Sequence, residues 1–241
     1  MPIAGVPTGD EPVPGVAYRL AGGETITPVW RNMADGLTFR LGTSRYLKWS
    51  PHTAGIDLTV EADRLAWAGA FITVPRILDQ GEEADAQWLL TTAIPGRSAV
   101  DPYWTARPAV AARAIGAGLR TLHDALPVDG CPFDWGVETR LAGVDDPTRA
   151  RLSESPPIDR LVVCHGDACA PNTLLDDSGR PVAHVDLGRL GVGDVWADLA
   201  IASWSTVWNY GPGYERLVYD AYGVDPDSGR IAYYRELWDA T

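Results

Sequence analysis

The segment His165-Gly166-Asp167-Ala168-Cys169-Ala170-Pro171-Asn172 contains residue types that can transfer a phosphoryl group. Asn172 follows Asp167 by five residues, and Asp186 follows Asn172 by fourteen, just past a short apolar run. Mg²⁺ prefers carboxylate and amide oxygens and usually reaches a protein through one or two carboxylates plus substrate phosphates. In phosphoryl transfer of this pattern, the first aspartate receives the acceptor hydroxyl, while the asparagine and the second aspartate hold the metals. We therefore expect that Asp167 orients the nucleophile and that Asn172 and Asp186 bind magnesium.

We refer to residues 165–172 as the catalytic loop. The alternative interpretation is a polar turn between two strands, because Asp, Asn, Gly and Pro are ordinary loop residues. That alternative requires the spacings of all these oxygen-bearing side chains to coincide by chance.

Lys48 is the only lysine among the twenty basic residues, so the other nineteen are arginines. An ammonium group is a compact point charge that fits between phosphate oxygens, whereas a guanidinium group is a broad planar fork. The single lysine therefore indicates a position where arginine is a poor substitute. A surface lysine that survived by chance is the alternative.

Composition places the chain among ordinary globular proteins, with 241 residues, 46% hydrophobic and 22% charged. A net charge of −12 argues against nucleic-acid or anionic-membrane binding and is compatible with a small cationic acceptor. Neither a secretion signal nor an apolar run long enough for a membrane span is visible, so we expect a soluble, cytoplasmic protein. The three cysteines match no zinc spacing, and we expect free thiols.

The first ninety residues have the pattern of an antiparallel sheet with one helix. Residues 24–31 and 37–41 are strand-like and are joined through Asp35-Gly36, a strong hairpin signal. The Lys48 strand follows at once, and residues 74–78 and 86–91 predict two further strands. The first hairpin loop contains only Gly36, so it lacks the repeated glycines of a phosphate-binding fingerprint.

A helix is predicted between the third and fourth strands, with Asp57 as its N-cap and Gly69 as its end. Glu61 lies one turn inside this helix, where its carboxylate can reach Lys48 and hold the ammonium toward phosphates. Taken alone, Glu61 would be an ordinary solvated helix charge.

Pro95-Gly96 interrupts the strand pattern, and we expect a hinge there between a unit of residues 1–94 and a unit of residues 95–241. The second unit begins with a helix opened by Pro108, in which His123 is expected to be structural. Its predicted buried stripe consists of Val110, Ala114, Ile115, Leu119 and Leu122. Short strands at 161–164, 173–175 and 181–185 surround the catalytic loop, and residues 176–179 form the hairpin turn between the last two. From Trp196 onward the chain reads as helices interrupted at 211–213 and at Gly223.

Together these residues resemble the aminoglycoside phosphotransferases, especially the 3'-phosphotransferase (kanamycin kinase) branch. The resemblance implies an α+β, protein-kinase-like two-lobed fold, with an N-terminal antiparallel sheet carrying one helix and a mainly helical C-terminal lobe. The matching pieces are Tyr46-Leu47-Lys48, Glu61 with Trp67, Cys131-Pro132-Phe133-Asp134, the catalytic loop, Asp186-Leu187-Gly188-Arg189-Leu190-Gly191, Asp194, Asp198-Leu199-Ala200 and residues 226–234.

The resemblance also implies a role for each matching position. Asp167 corresponds to the catalytic aspartate, and Asn172 and Asp186 correspond to the Mg²⁺ ligands. Lys48, held by Glu61, would contact the α- and β-phosphates of ATP. Tyr46 would stack on the adenine, and the backbone of Thr92 and Ile94 would bond to the adenine edge. Arg189 would lie near the acceptor. His165 would brace the catalytic loop, and Asp194 or Asp198 would attach that loop to the next helix.

Two departures from the family pattern concern the acceptor. Only thirty residues lie between Asp134 and His165, where the family has a longer helical insert. The shorter segment predicts a more open acceptor pocket. Trp208 and Trp238 lie where the family often has carboxylates, which leaves Asp239 as the best matched acidic residue. Trp204, Trp208 and Tyr210 either stack on a ligand or fill the core between helices.

The sequence therefore predicts an ATP- and Mg²⁺-dependent kinase acting on a hydroxyl of a small cationic acceptor, with an aminoglycoside as the first choice. The alternatives are a kinase of another hydroxylated antibiotic or metabolite, and a nucleotide-binding pseudoenzyme. Lys48, Asp167, Asn172 and Asp186 together favour an enzyme, because a binding scaffold does not need all of these side chains.

Overall fold

The computed structural model describes residues 5–7 and 11–241 of the chain. Contacts divide these described residues into two compact units. The N-terminal unit contains the described residues up to Gly69 together with Val74–Ile94, and the C-terminal unit contains Ala70–Thr73 and Pro95–Thr241.

An antiparallel sheet forms the frame of the N-terminal unit; within the described residues it has five strands, in the order β1-β2-β3-β5-β4. The strands are β1 (Ile26–Arg31), β2 (Leu37–Leu41), β3 (Arg45–Pro51), β4 (Ile77–Glu82) and β5 (Ala86–Thr92). Asp35 adopts a left-handed φ of 63° in the turn between β1 and β2, so the predicted hairpin is confirmed.

The predicted position of the fourth strand, residues 74–78, was wrong by several residues. β4 runs over Ile77–Glu82, and its register is set by pairing with β5 at the edge of the sheet. Because most of its side chains are exposed and polar, the strand lacks the alternating pattern by which strands are predicted.

Two α-helices accompany this sheet within the described residues. Helix α1 (Gly15–Ala21), which the sequence did not predict, buries Val16, Ala17 and Ala21 against Phe39 and Leu47 of the sheet. Helix α2 (Leu58–Ala68) lies between β3 and β4, as predicted. The Asp57 side chain accepts the Thr59 N–H at 2.9 Å, and Gly69 ends the helix, so both predicted helix boundaries are confirmed.

The C-terminal unit is mainly helical. Its helices are α3 (Pro102–Thr105), α4 (Pro108–Ala125), α5 (Val137–Leu141), α6 (Asp146–Leu152), α7 (Trp196–Tyr210), α8 (Glu215–Tyr222) and α9 (Ser228–Ala240). The buried face of α4 includes Ala111, Ile115 and Leu122, whereas Val110 is 40% exposed. Val110 was therefore placed wrongly in the buried stripe, because it lies in the first turn, outside the face that packs inward.

Short strands bring the catalytic loop and the segment from Val185 to Leu190 together. β7 (Leu161–Cys164) pairs with β10 (Gly191–Asp194), and β8 (Thr173–Leu175) lies between β6 (Arg97–Ser98) and β9 (Pro181–His184). The catalytic loop leaves β7 and enters β8, and the segment from Val185 to Leu190 leaves β9 and enters β10. Each of these segments therefore connects the β7–β10 pair with the β8–β9 pair. The predicted strands around the loop and the predicted turn at 176–179 are confirmed, whereas β6 and β10 were not predicted.

Cys131, Cys164 and Cys169 are free thiols, as predicted. In the part of the chain that the structure describes, no helix combines the length and the apolar character needed to cross a membrane.

Candidate active site

In the N-terminal unit, Lys48 and Glu61 form an ion pair. Lys48 lies in β3, and its Nζ donates to both carboxylate oxygens of Glu61 at 2.7 Å. Glu61 is in the first turn of α2 and its side chain is 8% exposed, whereas the Lys48 side chain remains 27% exposed. The buried carboxylate thus fixes the direction of a partly accessible ammonium.

Tyr46 and Lys48 alternate with Leu47 along β3. Because side chains alternate across a strand, Tyr46 and Lys48 project from one face while Leu47 is fully buried on the other. Thr92 ends β5, and its backbone N–H donates to the Arg76 carbonyl at 2.9 Å. Thr92 can therefore offer a nucleobase only its carbonyl oxygen, and any N–H donor must come from a residue beyond the strand, such as Ile94.

In the C-terminal unit, His165 is clamped by backbone groups at both ring nitrogens. Its Nε2 donates to the Val185 carbonyl at 3.0 Å, and its Nδ1 accepts the Asp167 N–H at 3.2 Å. A carbonyl can only accept and an N–H can only donate, so the ring is neutral and carries its proton on Nε2. His165 consequently links the catalytic loop to the residue before Asp186 and is not arranged to exchange protons.

Gly166 is required by close packing against Arg189. Its φ is +81°, and a Cβ at this position would overlap the backbone carbonyl and the Cβ of Arg189. Only glycine combines a left-handed backbone with the absence of a side chain, so Gly166 allows the catalytic loop to lie directly on the Asp186–Arg189 segment.

Backbone bonds also hold Asn172 and Asp186 near each other. The Val185 N–H donates to the Asn172 carbonyl at 3.0 Å, and the Asn172 Nδ2 donates to the Asp167 carbonyl at 2.9 Å. With its amide nitrogen engaged, Asn172 has Oδ1 as the side-chain atom that can reach a cation. Asp186 has a left-handed φ of 64°, an uncommon conformation for a residue with a side chain that is found more often at functional sites.

Asp167 has a buried carboxylate with an unmatched oxygen. Its Oδ1 is buried and has no hydrogen-bond partner among the described residues. Burial raises the pKa of Asp167 above its usual value, and the nearby Asp186 carboxylate adds to this effect, while the Arg189 guanidinium opposes it. A buried acceptor atom without a partner needs an explanation, and a catalytic role is one of those known.

Asp198, at the start of α7, binds the beginning of the catalytic loop. Its carboxylate accepts the backbone N–H groups of His165 at 2.6 Å and Gly166 at 3.0 Å. It also accepts from His123 Nε2 at 2.9 Å, and all of these groups are buried. Burial alone would raise the pKa of Asp198, but the hydrogen bonds from His123 and the loop outweigh it and lower the pKa.

Asp194 makes different contacts from those of Asp198. It accepts the N–H groups of Trp196 at 2.9 Å and Asp159 at 2.7 Å, and these contacts start α7 and fix the segment before β7. Of the two aspartates suggested by the sequence, it is therefore Asp198 whose carboxylate accepts from the catalytic loop.

Ser205 is a contact of the catalytic loop that the sequence interpretation missed. Its buried Oγ accepts the Ala170 N–H at 2.8 Å. Ser205 lies seven residues after Asp198, which is two turns of the same helix, so both side chains lie on one face of α7. That spacing was visible in the sequence, but a single serine in an apolar helix gives no signal of its own.

The residues predicted to contact an acceptor lie in more than one place. The Arg189 guanidinium lies 5.7 Å from the Trp135 ring and 5.2 Å from the Trp238 ring, and it is adjacent to the catalytic loop through Gly166. Trp208 is 50% exposed and contacts Trp204 with ring centroids 4.8 Å apart and ring planes tilted by 49°, so it does not belong to the core.

Asp239 is exposed and lines an open groove of about 400 Å³ between α6 and α9. The groove is also lined by Gly143, Val144, Asp145, Thr148, Arg151, Glu236 and Ala240. It contains more acidic than basic side chains, and its basic residue, Arg151, is paired with Glu236 at 2.6 Å. Trp238, the Arg189 contact, is the neighbour of Asp239 in the sequence but does not line this groove.

Residues 26–234 match the model of the phosphotransferase enzyme family. This chain belongs to that family. It is 33% identical to an aminoglycoside 3'-phosphotransferase of Streptomyces fradiae, over 78% of this chain and 81% of the relative. It is 32% identical to a streptomycin 3''-kinase of Streptomyces griseus, over 95% of this chain and 97% of the relative.

Solved structures of the family confirm the fold. The aminoglycoside phosphotransferase APH(3'')-Id of Streptomyces rimosus superposes with a TM-score of 0.74 at 28% identity, covering 94% of this chain and 96% of that one. The family resemblance, the protein-kinase-like fold class and the assignment as a phosphotransferase, all predicted from the sequence, are thereby confirmed.

Proposed function

We propose that this family member transfers the γ-phosphoryl group of ATP to a hydroxyl group of an aminoglycoside-type acceptor. The observation that supports this most directly is the arrangement around the catalytic loop. There the unpartnered Asp167 Oδ1, the Asn172 amide and the Asp186 carboxylate are held by backbone bonds in adjacent segments of one unit.

Residues 1–94 are proposed to bind the nucleotide. Lys48, directed by Glu61, would contact the α- and β-phosphates, because the buried carboxylate fixes the direction of a partly exposed ammonium. Tyr46 projects from the same face of β3 as Lys48 and would stack on the adenine. The Thr92 carbonyl and the Ile94 N–H would bond the adenine edge, in agreement with the occupied N–H of Thr92.

The donor set fits Mg²⁺. Among the described residues, no cluster of three or more His, Cys, Asp or Glu side chains is arranged to hold a metal without other ligands. Asn172 and Asp186 instead offer one amide oxygen and one carboxylate, which suits an ion whose remaining ligands are phosphate oxygens and water. When bound, Mg²⁺ would neutralise charge that develops on the phosphates.

Residues 95–241 are proposed to bind the acceptor and to provide Asp167. The acceptor hydroxyl would donate its hydrogen bond to the Asp167 carboxylate, and its proton would pass to that carboxylate as the new O–P bond forms and the bond from the γ-phosphorus to the bridging oxygen of ADP breaks, which releases ADP. Phosphoryl transfer proceeds through a loose transition state in which positioning contributes most of the catalysis, so the main role of Asp167 is orientation. His165 and Asp198 would support this by holding the loop backbone.

Acidic residues around α9 support a cationic acceptor. Asp239, Asp145 and Glu236 line the groove between α6 and α9, and the neighbouring residue Trp238 contacts Arg189. Asp239 would bind an ammonium group of the acceptor, Arg189 would lie near the reacting hydroxyl, and the exposed Trp208 ring would stack on a sugar or a cationic group.

A streptomycin-type acceptor is the second candidate. Relatives that match this chain over most of both lengths include a streptomycin 3''-kinase and an aminoglycoside phosphotransferase, APH(3'')-Id, that has been solved with ADP and streptomycin. The short segment between Asp134 and His165 is compatible with acceptors that differ from kanamycin.

An acceptor panel tests this proposal. ADP release is measured with Mg·ATP and, separately, kanamycin, neomycin, streptomycin, a macrolide and a simple amino alcohol, and the products are analysed by mass spectrometry and NMR. We expect turnover with one aminoglycoside subclass and a product that carries a single phosphoryl group on one hydroxyl. Turnover with only the macrolide or only the amino alcohol would show that the acceptor belongs to that class and is not an aminoglycoside. ATP binding without turnover toward any acceptor would favour a nucleotide-binding pseudoenzyme.

A further inference from the structure

Helix α7 holds the catalytic loop at more than one point. Asp198 accepts the N–H groups of His165 and Gly166 at the beginning of the loop, and Ser205 accepts the N–H of Ala170 further along, at 2.8 Å. Asp167 therefore lies between two attachment points on one rigid helix.

The Ser205 hydroxyl is itself fixed in place. Asn209 Nδ2 donates to Ser205 Oγ at 3.1 Å and to the Ser205 carbonyl at 2.8 Å. Ser205 has no exposed surface, so water cannot replace its oxygen if the hydroxyl is removed. Loss of this oxygen would leave the Ala170 N–H buried without an acceptor, and the loop would have to shift to satisfy it.

A shift at Ala170 would move groups that the proposed reaction uses. Ala170 begins the short 3-10 turn that ends at Asn172, and the Asn172 N–H donates to the Cys169 carbonyl at 3.0 Å. Asn172 then reaches back to the Asp167 carbonyl at 2.9 Å. The position of Ala170 consequently sets the distance between the Asp167 carboxylate and the Asn172 amide.

We propose that Ser205, supported by Asn209, is a positioning residue that keeps Asp167 and Asn172 in the arrangement needed for phosphoryl transfer. This inference rests on the proposed function. Misplacement of a reacting group by about 1 Å can lower a rate by about a hundredfold. We therefore expect loss of the Ser205 hydroxyl to lower kcat rather than the affinity for the substrates.

Ser203 provides a matched control. It is a buried serine on the same helix, and its Oγ bonds to the Ala200 carbonyl at 3.0 Å and to Tyr219 Oη at 2.5 Å. Ser203→Ala therefore removes the same atom from the same helix in a region that makes no bond to the catalytic loop through this oxygen.

The experiment compares wild type, Ser205→Ala, Ser205→Thr and Ser203→Ala. For each protein, kcat and KM are measured for ATP and for the acceptor that the wild type uses, together with Tm and amide hydrogen exchange in residues 165–172. We expect Ser205→Ala to lower kcat by about tenfold to a hundredfold with KM changed less than about threefold. Its loop should exchange faster, Ser205→Thr should recover most of kcat because it keeps the hydroxyl, and Ser203→Ala should match the wild type in kcat and loop exchange.

Several results would overturn the inference. If kcat and loop exchange in Ser205→Ala equal those of the wild type while the wild type turns over, Ser205 has no positioning role and the proposed function stands. If Ser205→Thr is as slow as Ser205→Ala at an unchanged Tm, side-chain volume matters and the hydrogen bond does not. If the wild type shows no acceptor-dependent turnover, the proposed function fails and the positioning role fails with it.

Discussion

At the scale of single residues, the pair of Lys48 and Glu61 shows why arginine does not replace the one lysine. Both Glu61 oxygens accept from one nitrogen at 2.7 Å, so the carboxylate holds a point charge. A guanidinium carries its charge over a plane and would have to place two nitrogens beside Glu61 or beside the phosphates. The geometry of the pair therefore suits an ammonium specifically.

Lys48→Arg should weaken the enzyme even though it keeps the charge. We expect kcat/KM for ATP to fall by roughly 10²-fold or more, on the scale seen when one charge-stabilising donor is lost. The check is steady-state kinetics with varied Mg·ATP at a saturating acceptor. Arg19→Lys, an exposed change on α1, which packs against the opposite face of the sheet with Leu47, is the control and should leave kcat/KM unchanged. A Lys48→Arg protein with wild-type kinetics would remove Lys48 from the phosphate site.

The contact between Lys48 and Glu61 was predictable from sequence because a strand lysine and a first-turn glutamate of the next helix lie close in chain order. The distinction between Asp194 and Asp198 was not predictable. Both lie near the start of α7, and only the tertiary packing decides that Asp198 meets the loop N–H groups while Asp194 meets Asp159 and Trp196. Ser205 was missed for the same reason, since its partner at Ala170 is distant in sequence.

At the scale of elements, the packing of β9 on α4 buries His184 as a neutral ring. His184 is 6% exposed, and its Nε2 has no hydrogen-bond partner among the described residues. Burial lowers the pKa of His184 to about 3. In an unfolded chain the pKa of the same ring is about 6.5.

This difference predicts that acid weakens the fold through His184. Below pH 6.5 the unfolded chain takes up a proton on this ring, while the folded protein does not until about pH 3. The unfolded state therefore binds more protons in this window, and stability that is fully present above pH 6.5 is lost progressively as the pH falls toward 3. The contribution to the slope is at most about 1.4 kcal/mol per pH unit.

Urea unfolding at a series of pH values between 3 and 7 checks this for wild type, His184→Gln and His184→Leu. Both variants remove the titration, so both should show a flatter dependence of unfolding free energy on pH, whatever their absolute stabilities. A wild-type slope retained in both variants would show that the acid sensitivity arises from other groups.

The elements that the sequence predicted and those that it missed differ in what stabilises them. α2 has a local N-cap and glycine stop, and the turn at 176–179 has local turn chemistry, so both were predicted correctly. β4 and β10 lack such local signals, and α1 ends at a left-handed Gly22 but has no side-chain N-cap. α1 is a single short helix stabilised by burial on the sheet, and β10, with the sequence GVGD, exists because it pairs with β7. Such elements depend on tertiary contacts, which sequence periodicity does not report.

At the scale of the whole molecule, family membership and local geometry agree. The two compact units, the net charge of −12 and the acidic groove around α9 are all compatible with a nucleotide substrate and a cationic acceptor. The segment between Asp134 and His165, where the sequence predicted a shortened insert, contains the short helices α5 and α6. This segment lines the groove with Asp145, the N-cap of α6, and with the basic Arg151.

The central claim is that Asp167 receives the acceptor hydroxyl during transfer from ATP, and a comparison of wild type with Asp167→Asn tests it most directly. The measurement is the rate of acceptor phosphorylation at saturating Mg·ATP and acceptor, together with the affinity for ATP and with exposed Asp177→Asn as the control. We predict a rate about 10²- to 10⁴-fold lower for Asp167→Asn with ATP affinity little changed, and a control equal to the wild type. An Asp167→Asn protein that phosphorylates the acceptor at the wild-type rate would contradict the account.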